Sequence, residues 1–389
     1  MISTAVAAPS ATLRPALAAA SGLAAAMGVG RFVYTPLLPV MVDAHRITAS
    51  DGAVIATANY AGYLLGAVLL ARKPKGNNPR SFRVAAVALV ASEALMALPA
   101  PTALAAALRL IAGIASAVVF VGCASAMARH DGSGRAAGIA FGGVGFGIAL
   151  TGMLVLAVRP VLSWQGMWLG AAALTAILLA PALRLDIHPG GSAGHAASPP
   201  SRAWRALLAA YFLEGLGYIV IGTFLVAAVS DQRGAALGSS AWIVVGAAAA
   251  PATVLWAAAA RRVTPAVALP IALLAQSVSA LLPAVTGASW AMVVSAALFG
   301  ATFMGIVMLA MRVGGELSGA DAAAPLTAVY GAGQMLGPLV VAPVLGDGYP
   351  AAFGIATAVL GLAVVTALVV TRERARDTAA EVTSSGTEC

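Results

Sequence analysis

Long apolar stretches alternate with short polar ones along nearly the whole chain. Most apolar stretches have about 20 residues, the length with which an α-helix crosses a hydrocarbon core about 30 Å thick. The first six predicted spans cover 16–42, 52–71, 82–99, 102–128, 135–158 and 164–183. The next six cover 204–229, 238–260, 265–286, 289–311, 323–345 and 351–371. The pattern therefore predicts an all-α membrane protein with twelve transmembrane helices.

The composition supports a membrane protein. Of the 389 residues, 61% are hydrophobic and only 9% are charged, and the mean hydropathy is +0.94. A soluble protein is about 45–50% apolar and about 25% charged. So few charges cannot cover a water-soluble surface, which excludes a soluble enzyme and a disordered protein. The first apolar stretch continues through Arg31 to about Met41, too long for a cleaved signal peptide, so it is predicted to remain as the first span.

The basic residues predict how the spans are oriented. If both termini are cytoplasmic, 17 of the 22 Lys and Arg residues lie on the cytoplasmic side, and only Arg46, Arg159 and Arg233 lie on the other. Such a bias is what the positive-inside rule describes. The net charge of +8 therefore reflects topology and contact with anionic lipid, and no nucleic-acid partner is expected.

An internal repeat divides the chain into two halves. Phe120-Val-Gly122 in the fourth predicted span matches Phe303-Met-Gly305 in the tenth, and Gly28-Val-Gly30 in the first matches Gly215-Leu-Gly217 in the seventh. Repeated halves of six helices, related by a pseudo-twofold axis, are typical of the major facilitator fold. The predicted organisation is an N-terminal half over 1–185, a cytoplasmic linker over 186–203, a C-terminal half over 204–372 and a disordered cytoplasmic tail over 373–389.

The first span carries a family resemblance. The stretch from Gly22 to Pro39 resembles the first-helix signature of the YbfB/YjiJ branch of the major facilitator superfamily. The resemblance implies a multi-pass secondary transporter of the bacterial inner membrane that works by alternating access, and it leaves the substrate open. One departure is the loop after the second span, where 66–76 lacks the aspartate of the superfamily's usual motif.

Four charged residues lie well inside predicted spans, away from the ends, namely Arg31, Glu93, Arg109 and Glu214. Each costs about 2.5–3.5 kcal/mol at the centre of a helix, so each must face a cavity or a partner. Glu93 and Arg109 flank one short turn at similar depth. They are therefore predicted either to form a structural ion pair or to leave Arg109 free to bind substrate in the central cavity.

Arg31 is predicted to bind an anion or to act in gating. It lies past the midplane of the first span, and Tyr34 and Thr35 follow at three and four residues, which makes this helix face polar. The first helix lines the central cavity in the superfamily that the signature resembles. The alternative is an arginine whose hydrogen bonds are satisfied by packing partners.

Glu214 is the predicted proton-coupling residue. It lies about ten residues into the seventh span, and Tyr211 and Tyr218 share its helical face. A carboxyl group at this depth could take up a proton on one side of the membrane and release it on the other. The alternative is a glutamic acid that is hydrogen-bonded for packing.

Other polar and small residues complete the predicted site and its supports. Polar residues four apart are predicted to contact substrate, with interhelical hydrogen bonding as the alternative: Asn59 with Tyr63, and Tyr330 with Gln334. Residues predicted for close helix packing are Gly138, Gly142, Gly143, Gly147, Gly333, Gly337 and Pro338.

These features predict a secondary active transporter that acts as a monomer in the lipid bilayer, on a small-molecule substrate and with protons. No nucleotide-binding, nucleophile or metal-ligand motif is found, so neither an enzyme nor a cofactor or metal is expected. A non-transporting sensor stays a remote alternative. Proton-coupled export is favoured because the glycine run of the fifth span resembles that of antiporters, and uptake of an organic anion bound by Arg31 and Arg109 is the alternative.

Overall fold

A computed structural model describes residues 9–128, 135–187, 201–318 and 322–385, and in these ranges every regular element is helical. The helices of the N-terminal half are α1 (Pro9–Leu23), α2 (Tyr34–Asp43), α3 (Ala49–Arg72), α4 (Pro79–Leu95), α5 (Thr102–Ala128), α6 (Arg135–Val158) and α7 (Trp164–Ala182). Those of the C-terminal half are α8 (Arg202–Arg233), α9 (Ala235–Val263), α10 (Pro265–Val285), α11 (Ser289–Ser318), α12 (Ala323–Val341) and α13 (Tyr349–Ser385). Most of the predicted linker over 186–203 lies outside the described residues.

The predicted all-α membrane fold is confirmed. Eleven stretches of the described chain are long and apolar enough to cross a membrane, and α1 and α2 together form the first of them. The one predicted span without such a stretch in the described chain is the third, 82–99, which corresponds to α4 and has only 17 residues. Polar side chains begin several helices, as in α3, where Thr48 and Asp51 form a reciprocal capping box.

The first span is interrupted, which the apolar pattern did not predict. A π-helical segment, Ala24–Val29, follows α1, and a turn over 30–33 leads into α2. Pro36 has no N–H group with which to bond the carbonyl oxygen of Phe32, and the Thr35 N–H bonds that oxygen instead at 3.2 Å. The regular hydrogen-bond ladder is therefore broken here, and backbone carbonyl groups become available to other partners.

The last helix, α13, continues beyond the apolar span and into the predicted tail as far as Ser385. No Pro or Gly interrupts 372–385, and Arg374 donates a hydrogen bond of 3.0 Å to Glu316 of α11. The helix thus gains both local propensity and a partner beyond the apolar span. Residues 386–389 lie outside the described ranges.

The two halves meet along a surface that we call the seam. At one part of the seam α6 packs against α9, and a Cβ atom added at Gly145 or Gly246 would overlap the facing backbone. The predicted packing glycines of α6 lie on two faces: Gly142 approaches Ala250 of α9, whereas Gly143 lies against the backbone of α1. Small residues therefore bring α6 close to both halves at once.

The remaining predicted packing residues lie at similarly close contacts. In α6, Gly147 packs against Gly28 of the π-helical segment and Gly138 lies 3.4 Å, measured from an added Cβ, from the Val254 side chain. In α12, Gly333 and Gly337 face the backbone of α8, and Pro338 lies inside the helix. The glycines of α12 thus pack within the C-terminal half and position α12 beside α8.

Candidate functional site

Arg31 lies in the interrupted part of the first span, where the two halves meet. Its side chain is only 3% exposed. One guanidinium N–H group donates a hydrogen bond to the side-chain oxygen of Gln334 on α12, which belongs to the other half. The interruption therefore places a cation directly on the seam.

Aromatic rings surround the Arg31 guanidinium. Its central carbon lies 4.5 Å from the ring centroid of Tyr63, 5.0 Å from that of Tyr60 and 5.5 Å from that of Phe32. Such contacts stabilise a buried cation by about 0.5–2 kcal/mol each. The Arg31 Nε atom has no hydrogen-bond partner in the described residues, and none of their carboxylates forms a salt bridge with it. The positive charge is thus shielded by rings but not neutralised by any described residue.

Arg109 holds the interrupted backbone in place. It reaches from α5 and donates hydrogen bonds to the carbonyl oxygens of Gly30 at 2.8 Å and Arg31 at 2.9 Å. The rings of Tyr34 and Trp168 lie at 5.6 Å from its guanidinium carbon. The turn over 30–33 leaves these carbonyl groups without helical partners, so they accept the guanidinium of a neighbouring helix.

Of the two arrangements predicted for Glu93 and Arg109, the structure shows no salt bridge between them. Glu93 is fully buried, and the Thr175 hydroxyl is the polar group beside it, but neither carboxyl oxygen forms a hydrogen bond of regular geometry with a described residue. The physical reason is the interruption of the first span, whose free carbonyl groups take both terminal nitrogens of Arg109. A continuous first helix would have offered no such acceptors.

Further hydrogen bonds join the halves close to Arg31. The Thr35 hydroxyl donates to the carbonyl oxygen of Gly222 in α8 at 2.5 Å. The hydroxyl groups of Tyr60 and Thr223 lie 2.9 Å apart. The predicted residue Asn59 does not reach across; its amide donates to the carbonyl oxygen of Arg109 at 2.9 Å and joins α3 to α5.

Sequence reasoning missed three residues of this cluster. Tyr60 and Phe32 flank the Arg31 guanidinium, and Thr223 bonds Tyr60 from the other half. Tyr60 directly follows Asn59, and Phe32 directly follows Arg31. The sequence signal for these residues was an aromatic side chain directly next to a predicted site residue. Spacing along a regular helix did not select them, because adjacent side chains on a helix point in different directions.

The predicted tyrosines of the C-terminal half form a stacked column. The Tyr330 ring lies 4.4 Å from that of Tyr211 and 5.4 Å from that of Tyr218, measured between centroids, and the planes are nearly parallel. Tyr218 also stacks on Phe303 at 6.2 Å, and Phe303 meets Phe32 edge-on at 6.2 Å. The column thus leads from the interior of the C-terminal half to the ring beside Arg31.

Glu214 is buried inside the C-terminal half. A narrow gap beside it, between α8, α10 and α11, is lined by Tyr211 and otherwise by apolar side chains, which include Leu207, Leu269, Leu273, Ile306 and Ala310. Gln276 of α10 is the polar side chain beside it. No described residue forms a salt bridge with Glu214. Glu214 and Arg31 are thus parts of two different sites, which are connected by the tyrosine column.

The fold and this site define a class of protein. Many apolar helices in two halves, with a buried polar cluster on the seam between them, make a multi-pass membrane protein with the architecture of a major facilitator transporter. The family model described as "Uncharacterised MFS-type transporter YbfB" matches residues 23–372. The chain therefore belongs to this family of major facilitator transporters.

A solved structure shares the fold. The crystal structure of a bacterial homolog of the human lysosomal transporter Spinster, in an inward-facing and unoccupied conformation, superposes with a TM-score of 0.68 at 16% identity. The match covers 92% of this chain and 96% of that one. At this identity the likeness shows the fold alone. No curated protein sequence matches this chain.

Proposed function

We propose that this protein is a proton-coupled secondary transporter and that its substrate is a small organic anion bound by Arg31. The observation that carries the proposal is the Arg31 guanidinium, which is buried on the seam and is held by rings and one neutral amide. A charge at the centre of a membrane helix costs about 2.5–3.5 kcal/mol. A carboxylate or phosphate on the substrate would neutralise it with charge-assisted hydrogen bonds.

The position of Arg31 links binding to movement of the halves. Its hydrogen bond to Gln334 joins the two halves in the present arrangement. An anion is a stronger acceptor than a neutral amide, so it would replace Gln334 as the partner of Arg31. A ligand shifts a conformational equilibrium only through different affinities for the two states. Loss of this interhalf bond on binding would supply such a difference.

Glu214 is the proposed proton carrier. It is fully buried, and the tyrosine column runs from its neighbourhood to the seam. An ionised carboxylate is stable in water but costly in an apolar interior. Movement of this group between the two environments would therefore be coupled to proton uptake and release. Both termini are proposed to be cytoplasmic, in the bacterial inner membrane, from the distribution of basic residues.

A second candidate is proton-coupled export of a lipophilic cation or neutral molecule. The tyrosine column favours it, because flat aromatic faces attract cations and apolar rings alike. In this case Arg31 would act in gating and not in substrate binding. The direction of transport stays a prediction from the glycine run of α6.

A thermal-unfolding screen of the purified protein separates the two candidates. The panel contains small carboxylates and lipophilic cations, because a ligand at 100 times its Kd adds about 2.7 kcal/mol to stability. We expect a carboxylate to stabilise the wild type and the exposed control Arg262→Gln, but not Arg31→Gln. Flux of that carboxylate into vesicles of known orientation then gives the direction. Stabilisation by cations alone, retained in Arg31→Gln, would overturn the anion proposal.

A further inference from the structure

A groove lies away from the seam, on the outer surface of the N-terminal half between α4 and α5. Its volume is about 380 Å3. The lining residues are Arg80, Ser81, Val84, Ala85 and Ala88 of α4, and Ile111, Ile114, Ala115 and Val118 of α5. Polar groups thus occur only where α4 begins, and the remaining wall is apolar.

The groove exists because the two helices differ in length and carry small residues where they meet. With 17 residues, α4 is shorter than α5, which has 27. The small side chains of Ala85, Ala88 and Ala115 form the floor of the groove. The larger side chains of Val84 and Ile111, which are 62% and 43% exposed, form its sides. Apolar side chains this exposed face lipid in a membrane protein. From Arg80 to Ala88 the groove extends about 12 Å along the helix axis.

Arg80, which lines one end of the groove, belongs to a strongly basic segment of the chain. Five basic residues lie within twelve positions, namely Arg72, Lys73, Lys75, Arg80 and Arg83, and no acidic residue occurs between Asp51 and Glu93. All five are exposed. None forms a salt bridge with a described residue. The groove therefore combines an uncompensated positive end with an apolar trough.

We propose that this groove binds an anionic phospholipid. The headgroup phosphate would lie at Arg80 with the Ser81 hydroxyl beside it, and one acyl chain would follow the apolar wall toward Ala88. Charge complementarity selects an anionic headgroup, because basic clusters next to a membrane helix attract anionic lipid. The acyl chain explains why the trough is apolar beyond its first turn. This site does not depend on the identity of the transported substrate.

Thermal unfolding of the full chain in detergent tests the site. Phosphatidylglycerol is compared with phosphatidylcholine of the same acyl chains, and with inorganic phosphate as the headgroup alone. The variants are Arg80→Gln, which removes the charge at that end of the groove, and Ala88→Phe, which fills the trough. Arg262→Gln, an exposed arginine outside the groove, is the matched control for loss of one charge.

We expect phosphatidylglycerol to raise the melting temperature of the wild type and of Arg262→Gln more than phosphatidylcholine does. Arg80→Gln should lose about fivefold in affinity for phosphatidylglycerol, the equivalent of about 1 kcal/mol for one basic side chain. Ala88→Phe should weaken binding without changing the preference for the anionic headgroup. Equal effects of the two lipids, equal losses in Arg80→Gln and Arg262→Gln, or saturation by phosphate alone would overturn the proposal.

Discussion

Arg109 donates a hydrogen bond of 2.9 Å to the backbone carbonyl oxygen of Arg31, so one buried arginine holds the main chain that carries the other. The second hydrogen bond of Arg109, to Gly30, fixes the same turn. Arg31 can therefore direct its own side chain to the seam while its backbone is anchored within the N-terminal half. The two arginines therefore differ in role. Arg109 positions the backbone of the first span, and Arg31 forms a hydrogen bond with the other half.

Replacement of Arg109 should destabilise the protein. Arg109→Gln removes the donors to two buried carbonyl oxygens, and each buried acceptor left without a partner costs about 1–3 kcal/mol. We expect a clear fall in the melting temperature measured in detergent. Arg312→Gln, at an exposed position on α11, is the control and should unfold like the wild type.

Glu93→Gln tests the same arrangement from the other side. Because Glu93 accepts no hydrogen bond of regular geometry from a described residue, this variant should be much less destabilised than Arg109→Gln. Equal destabilisation of the two single variants, with recovery when the two charges are exchanged, would contradict the structure. It would show that Glu93 and Arg109 form the ion pair after all.

Gln334→Glu should raise stability and abolish transport. The new carboxylate would lie where the Gln334 oxygen accepts the hydrogen bond from Arg31, and unlike the amide it would neutralise the buried positive charge. A permanent anion at Arg31 would both join the halves and occupy the proposed substrate site. We expect a higher melting temperature and at least about a tenfold loss of flux, equivalent to 1.4 kcal/mol.

The control for this experiment is Gln334→Ala, which removes the acceptor without adding a charge. It should lower the melting temperature and retain binding of the anion found in the screen. Wild-type flux in Gln334→Glu would show that Arg31 is not the anion-binding residue.

Gly145→Ala should disturb the packing of α6 against α9. A Cβ atom at this position would overlap the backbone of Ala250 in the other half. We expect lower stability and lower flux, measured on the same preparation. The control is Gly354→Ala in α13, where a Cβ meets no atom within 4 Å and alanine improves helix propensity by about 1 kcal/mol. Similar behaviour of the two variants would mean that this contact has no role in holding the seam.

Glu214→Gln should abolish pH-driven transport and leave folding intact. The amide has nearly the shape of the acid but cannot take up or release a proton, and the site around Glu214 holds no described cation that the change would leave unpaired. Flux driven by a pH gradient is compared with exchange of substrate at equal concentrations. Exchange should persist, whereas unchanged pH-driven flux would remove Glu214 from the coupling mechanism.

The helical architecture could be predicted because apolar length is a local property of the chain. Backbone groups in lipid must bond within their own helix, so an apolar stretch of about 20 residues has few alternatives. Apolar length is a weaker guide for α4, which has a polar first turn and only 17 residues. This helix nevertheless packs against both α5 and α7. The contact between the end of α13 and α11 could not be predicted in this way, because Glu316 lies 58 residues from Arg374 in the sequence.

The apolar pattern, the basic residues and the Gly22–Pro39 signature determined the membrane class, the two halves and the family. Only the tertiary structure decided the partners of the buried charges. In that structure Arg31 donates a hydrogen bond to Gln334, which is 303 residues away in the sequence. Arg109 donates its hydrogen bonds to the backbone of the first span and not to Glu93. Charged residues within an apolar span can be recognised from the sequence. Their partners cannot, because they depend on which backbone groups are left free when neighbouring helices pack. The interruption of one helix was enough to change those partners.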